Sequence, residues 1–237
     1  DDIFNYCPLI VVTHCEDPER VKTNEQIFLE KYGSNLSAEH HPYIRDVESC
    51  YLSSSLAVDL AKKYDADLHV FHLTTEKEME LFTSGEVDNK KITAEVCVHH
   101  MHFNNSYYAE LGNQIKCNPS IKMESDRLAL IDALKGNKID IIATDHAPHT
   151  WDEKNQDYPS APAGLPLVQH GLQILMDFYH EGILSLEMIV EKTSHNVAKR
   201  FQIKDRGYIR EGYYADLTVL DLGRPYEVSK ENILYKV

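Results

Sequence analysis

No stretch of the 237-residue sequence approaches the ~20 consecutive apolar residues of a membrane span. The first residues, Asp1-Asp2-Ile3-Phe4, form neither a basic nor an apolar leader, so the cytoplasm is the expected compartment. Ten glycines and nine prolines are too few for a collagen-like or low-complexity chain. Positive charge is also short: a formal net charge of -14 would repel nucleic acid and anionic membranes, so neither is expected as a partner, whereas a small-molecule substrate is compatible with it. The five cysteines (Cys7, Cys15, Cys50, Cys97, Cys117) are an odd set without a Cys-x-x-Cys spacing. That argues against a disulfide framework and against a cysteine zinc knuckle, and the thiols read as reduced and mostly buried. What these absences leave is a soluble globular chain, long enough for one large domain.

Within it one pattern occurs four times: a short apolar, β-branched run that ends in polar residues. Pro8-Leu9-Ile10-Val11-Val12 ends at Thr13-His14, and Leu68 to Leu73 ends at Thr74-Thr75. Ile92 to Val98 ends at His99-His100, and Ile139 to Ala143 ends at Thr144-Asp145. Each run reads as a buried strand entering a loop. Between them lie patterns of helical period, Ser53 to Tyr64 and a second from Ser125, a candidate N-cap, to Gly136; two more follow the fourth strand, around Val168 to Tyr179 and Ser185 to Phe201. Strands alternating with helices imply an α/β fold with a parallel sheet. From about Asp205 the period shortens to Gly207-Tyr208-Ile209-Arg210 and Asp216 to Leu220, which predicts a small β appendage over 205–237 beside a main domain over 1–204.

The chemistry lies at the carboxyl ends of the runs: His14 after the first, His72 after the second, His99-His100 after the third, and Asp145, His146 and His149 after the fourth. In parallel α/β folds that rim is where ligands bind, and imidazole with carboxylate suits zinc. A lone histidine at a strand end is, however, more often structural or solvated, and an aspartate there more often caps the next helix. Spacing by itself leaves the two readings open.

The segments Thr13-His14-Cys15-Glu16-Asp17, Leu68 to Thr75 and Ala143-Thr144-Asp145-His146-Ala147-Pro148-His149 resemble the motifs of dihydroorotases in the amidohydrolase superfamily. The resemblance extends to Lys116-Cys117-Asn118-Pro119-Ser120, Ala161-Pro162-Ala163-Gly164, Ser194 to Ala198, and Gly207 through Ala215 to Leu217. It implies a (β/α)8 barrel with a small β domain and zinc as the cofactor, two ions in a complete enzyme. It also implies reversible hydrolysis of dihydroorotate to N-carbamoyl-aspartate in pyrimidine synthesis, with a homo-oligomer expected. By resemblance His14 and His72 ligate one zinc, and Asp145 is both a ligand and the catalytic proton carrier. Asn118, His149 and the backbone of Ala163 and Gly164 hold the substrate. Hydantoinases and allantoinases are the near alternatives, and a catalytically inactive structural subunit is a third. His149 and Asn118 favour dihydroorotate, whose carboxylate wants a donor beside it.

The family's His-x-His pair after the first barrel strand, its nearby Arg and Asn, and its bridging carboxylate or carboxylated lysine have no counterpart. His100-Met101-His102 falls after the strand equated with the seventh. The expectation is therefore that only about strands 5–8 are present and that residues 1–237 are inactive alone. Period 2 places Val70 and His72 on one strand face, His69 and Phe71 on the other, which sets His69 aside. His99, His100 and His102 receive no role, and His40-His41 reads as a solvated loop.

Overall fold

A computed structural model describes residues 1–235. Four strands, β1 (Val11–Thr13), β2 (Leu68–Val70), β3 (Ile92–Cys97) and β4 (Ile141–Ala143), lie side by side in chain order, every neighbouring pair parallel. Each is shorter than or equal to its apolar run. β2 is buried throughout and β3 nearly so, the mark of a parallel sheet covered on both faces. β1 is an outer strand, with Val12 43% exposed. The core gathers around Leu68, Val70, Ala94, Val96, Leu134 and Ile139, all fully buried.

The helices start where a side chain can satisfy their free amide groups. Asp17 accepts from Arg20 N at 2.8 Å ahead of the helix Pro18–Tyr32, and Asp46 accepts from Ser49 N at 2.8 Å ahead of Val47–Tyr64. Each such cap is worth about 1 kcal/mol. The second of these helices begins six residues before the predicted Ser53 because Asp46 supplies the cap. Likewise Ser125 is not a cap: the helix Glu124–Lys135 starts one residue earlier, with the Asp126 carboxylate accepting from Met123 N at 3.2 Å.

After β4 come the helix Gly171–His180 and a broken one: Leu186–Val190, a π turn over Glu191–His195, then Asn196–Arg200. The sequence period predicts one continuous helix there, but the Thr193 hydroxyl donates to Ile189 O at 2.7 Å, and side chains that bond back to the preceding turn loosen the ladder. Lys192 Nζ reaches Ile139 O at 3.3 Å and Asn196 Nδ2 reaches Asp140 O at 2.8 Å, which pins this element to the amino end of β4.

The expected β appendage is not formed as strands. Residues 205–235 contain turns and extended stretches but no strand among the described residues, and positions 236 and 237 lie outside them. Leu217 and Val219, two apolar members of the alternating run, are 61% and 93% exposed. A strand needs a neighbour to pair its backbone groups, and among the described residues this segment pairs with none. Among the described residues, no helix is long and apolar enough to cross a membrane.

Candidate metal and substrate site

Parallel strands in one sheet put all their carboxyl ends on one rim, so the residues that follow β1, β2, β3 and β4 share an edge of the molecule. His14 and His72 meet there: His14 Nδ1 lies 3.0 Å from His72 Nε2, and the rings are nearly perpendicular. His72 leaves its strand through a positive φ of 34° and turns its ring inward, where it is 5% exposed, whereas the side chain of His14 is 43% exposed. On its other side, His14 Nε2 donates to Glu16 Oε2 at 3.0 Å, and Arg45 Nη1 donates to the same oxygen at 2.5 Å. Burial pushes the Glu16 carboxyl up, but the His14 hydrogen bond and the Arg45 charge outweigh it, so it sits below the usual carboxylate range. Burial, with His14 close by, pushes the His72 imidazole down and keeps it neutral. The sequence reading did not single out Glu16 or Arg45; a carboxylate two residues from a candidate ligand was the available signal.

Asp145 follows β4 with a φ of 45° and is exposed, with no hydrogen-bond partner among the described residues. Because it follows β4 it stands on the same rim, where its charge opposes the fall of the His72 pKa. The loop after it packs on the Ala163-Gly164 segment: His149 Nε2 donates to Ala163 O at 3.1 Å, Ala147 N to Leu165 O at 3.0 Å, and Gly164 N to Lys116 O at 2.8 Å. Gly164 has a φ of 143°, and a Cβ there would lie 2.6 Å from Ala147 O and 3.1 Å from His149 Nε2. Only glycine allows so close an approach. Two buried lysines complete this packing. Lys154 Nζ donates to Lys116 O, Pro162 O and Gly164 O at 2.9–3.1 Å, and Lys116 Nζ to Tyr158 O and Ala161 O at 2.6 and 2.5 Å. Thus Asn118, Ala163, Gly164 and His149 sit on three segments stitched into one unit.

A second group of donors lies beside the first. Cys97 Sγ and nitrogens of His99 and His100 are mutually within 4.8 Å, all buried. His99 has no partner on either nitrogen and His100 none on Nδ1, while His100 Nε2 donates to Pro119 O at 3.0 Å. Burial, with His72 nearby, drives His99 down to about 3. Burial also raises the Cys97 thiol well above its ordinary value. All three residues are buried, so none of them faces a substrate, and His100 Nε2 is committed to a carbonyl. The His14–His72 pair reaches the solvent edge of the rim through His14, whose side chain is 43% exposed.

The expectation that His40-His41 is a solvated loop is overturned for His41, which is 2% exposed and bonded to Tyr158, Cys117 and Asn118. Its partners lie up to 117 positions away, beyond any local pattern. His69 is fully buried and structural: Nδ1 meets Thr93 Oγ1 at 2.8 Å and Nε2 meets Glu95 Oε2 at 3.1 Å. His102 is exposed.

The donor set fits an ion. Two zinc–nitrogen bonds of ~2.0–2.1 Å at a tetrahedral angle separate their donors by about 3.3 Å, close to the 3.0 Å between His14 and His72. A carboxylate on the outer nitrogen of a ligating histidine is the usual support, and Glu16 provides it.

Comparison with known proteins bears on the family and the fold. Dihydroorotase of Methanosphaera stadtmanae is 33% identical over 241 residues, covering 100% of this chain and 55% of that protein. Dihydroorotase of Carboxydothermus hydrogenoformans is 33% identical over 240 residues, covering 96% and 52%. The chain thus spans about half the length of the curated relatives it matches. Among solved structures, an L-hydantoinase (dihydropyrimidinase) from Arthrobacter aurescens superposes with a TM-score of 0.83 at 20% identity, over 90% of this chain and 49% of that one, a likeness of fold. The sequence model of the amidohydrolase family matches residues 55–236, and the chain belongs to that family.

Proposed function

We propose that this chain carries part of a zinc-dependent dihydroorotase site, hydrolysing the cyclic amide of dihydroorotate reversibly to N-carbamoyl-aspartate. The observation that supports it best is the 3.0 Å approach of His14 Nδ1 to His72 Nε2 on the rim that also bears Asp145, together with relatives named dihydroorotase. His14 and His72 would hold one ion. When bound, the ion lowers the pKa of a coordinated water and polarises the amide carbonyl. Asp145 takes the proton from the attacking oxygen and returns it to the leaving nitrogen. Asn118, His149 and the backbone of Ala163-Gly164 orient the substrate.

The four strands correspond in this reading to strands 5–8 of a (β/α)8 barrel, with residues 1–204 in the barrel and 205–237 in a small adjoining domain. A catalytic zinc usually has three protein ligands plus water, and these residues offer two histidines and Asp145. The remaining donors would come from a segment outside these four strands, so residues 1–237 alone are expected to turn over little. The test is turnover of dihydroorotate, hydantoin and allantoin by the full-length protein carrying this chain, with zinc supplied. Preference for dihydroorotate, at ~1–1,000 per second, supports the reading. Preference for hydantoin or allantoin contradicts it, as does no turnover of any of the three.

A further inference from the structure

His41 begins the short helix His41–Ile44 and reaches across the molecule with both ring nitrogens engaged. Nε2 lies 2.9 Å from Cys117 O, a group that can only accept, so Nε2 carries the proton. Nδ1 is then a bare acceptor, and the Tyr158 hydroxyl donates to it at 2.7 Å. The ring is thereby held in one tautomer. Burial keeps it neutral, driving its pKa down to about 3.

The same Nε2 proton faces Asn118 Oδ1 at 3.2 Å. Were the Asn118 amide turned over, its NH2 group would meet the imidazole N–H, two donors in contact. One orientation is therefore selected, and it leaves Nδ2 without a partner among the described residues. We propose that His41 is a positioning residue that locks the Asn118 amide with its NH2 group free to donate, so that this position selects a substrate group that accepts hydrogen bonds, a carboxylate or a carbonyl oxygen. Tyr158 ties the device to the neighbouring wall, since Tyr158 O and Ala161 O hold Lys116 and Gly164 N bonds Lys116 O. The inference rests on the reading above in placing Asn118 against substrate, and it adds what sets the polarity of that contact.

The test compares the full-length protein with His41→Leu and His41→Gln. Leu removes the donor; the Gln amide nitrogen reaches the place of Nε2. One hydrogen bond lost corresponds to roughly a tenfold effect. His41→Leu should raise KM for dihydroorotate about tenfold, with kcat within about threefold and zinc content unchanged, and His41→Gln should restore most of the loss. An unchanged KM in His41→Leu, or a Gln variant as impaired as Leu, overturns the proposal. Nitrogen NMR of the parent protein decides independently of activity and of whether the Leu variant folds. It should show a neutral His41 with the proton on Nε2 from pH 5 to 8, hydrogen-bonded to the Asn118 side chain. A proton on Nδ1, or a charged ring, overturns the proposal. If the parent turns over no dihydroorotate, the functional reading fails while the NMR result still judges the role of His41.

Discussion

At the amino ends of the strands, polar side chains are spent on structure; at the carboxyl ends they are left over. Below, Asp140 accepts from Lys90 Nζ at 2.7 Å and Ala94 N at 3.0 Å, and Arg200 Nη2 donates to Leu68 O and Lys91 O at 2.9 and 2.8 Å. Above, His72 Nδ1, both nitrogens of His99 and Nδ1 of His100 are buried without partners, and His72 and Asp145 hold positive φ angles. Unsatisfied buried nitrogens cost stability, and the carboxyl end carries most of those on histidine. The same sheet thus keeps its stability at one end and its chemistry at the other, as parallel α/β folds do.

The sharpest way to break this contrast is at the lower end. Asp140→Ala would leave Lys90, whose side chain is 5% exposed, buried without its counter-charge. Such a loss costs about 3–5 kcal/mol, and urea unfolding should show it. A change below 1 kcal/mol would remove the distinction between the two ends.

At the upper end, Glu16→Gln should cost metal affinity rather than stability. It supports His14 from behind and balances Arg45. Removal of such a supporting carboxylate lowers affinity about 10–100-fold. Zinc titration against a competing chelator measures it, and parental affinity would show that Glu16 is only a partner for Arg45.

Acid provides a graded test. His41 has an ordinary pKa of 6.5 when unfolded and about 3 when folded. Between those values the unfolded chain binds a proton that the native state does not, so stability falls as pH falls below 6.5, by up to about 1.4 kcal/mol per pH unit. Urea midpoints from pH 7 to 5 should be flatter in His41→Gln. Equal slopes would mean that His41 is already charged in the fold.

The smallest effect is expected at His149, whose ring leans on Ala163 O. His149→Ala should raise KM for dihydroorotate about five- to tenfold while zinc content stays near that of the parent. Loss of zinc instead would make it a ligand.

The order of strands and the rim were legible because β-branched runs mark the strands and parallel connections force their ends together. His14, His72 and Asp145 were legible as rim residues because they stand at or just beyond the ends of the runs, while the roles assigned to them came from the resemblance. His41 could not: the groups that bury it come from positions 117, 118 and 158, and adjacent His40 makes the pair look like a polar loop. Lys116 and Lys154 were equally hidden, since a lysine that solvates backbone carbonyls looks in sequence like any surface lysine. The stretch after Asp205 forms no strand among the described residues. Its alternation suits a strand, but a strand exists only with a partner.

The central claim is that His14 and His72, and not the buried Cys97, His99 and His100, form the primary metal pair. Zinc affinity of the full-length protein, measured side by side in His14→Ala, His72→Gln, Cys97→Ser and His99→Gln, tests it most directly. The first two should lose roughly a hundredfold or more, beyond the 10–100-fold of a supporting residue, while the last two stay within about tenfold of the parent. Strong binding retained in the first two and lost in the last two would contradict the account.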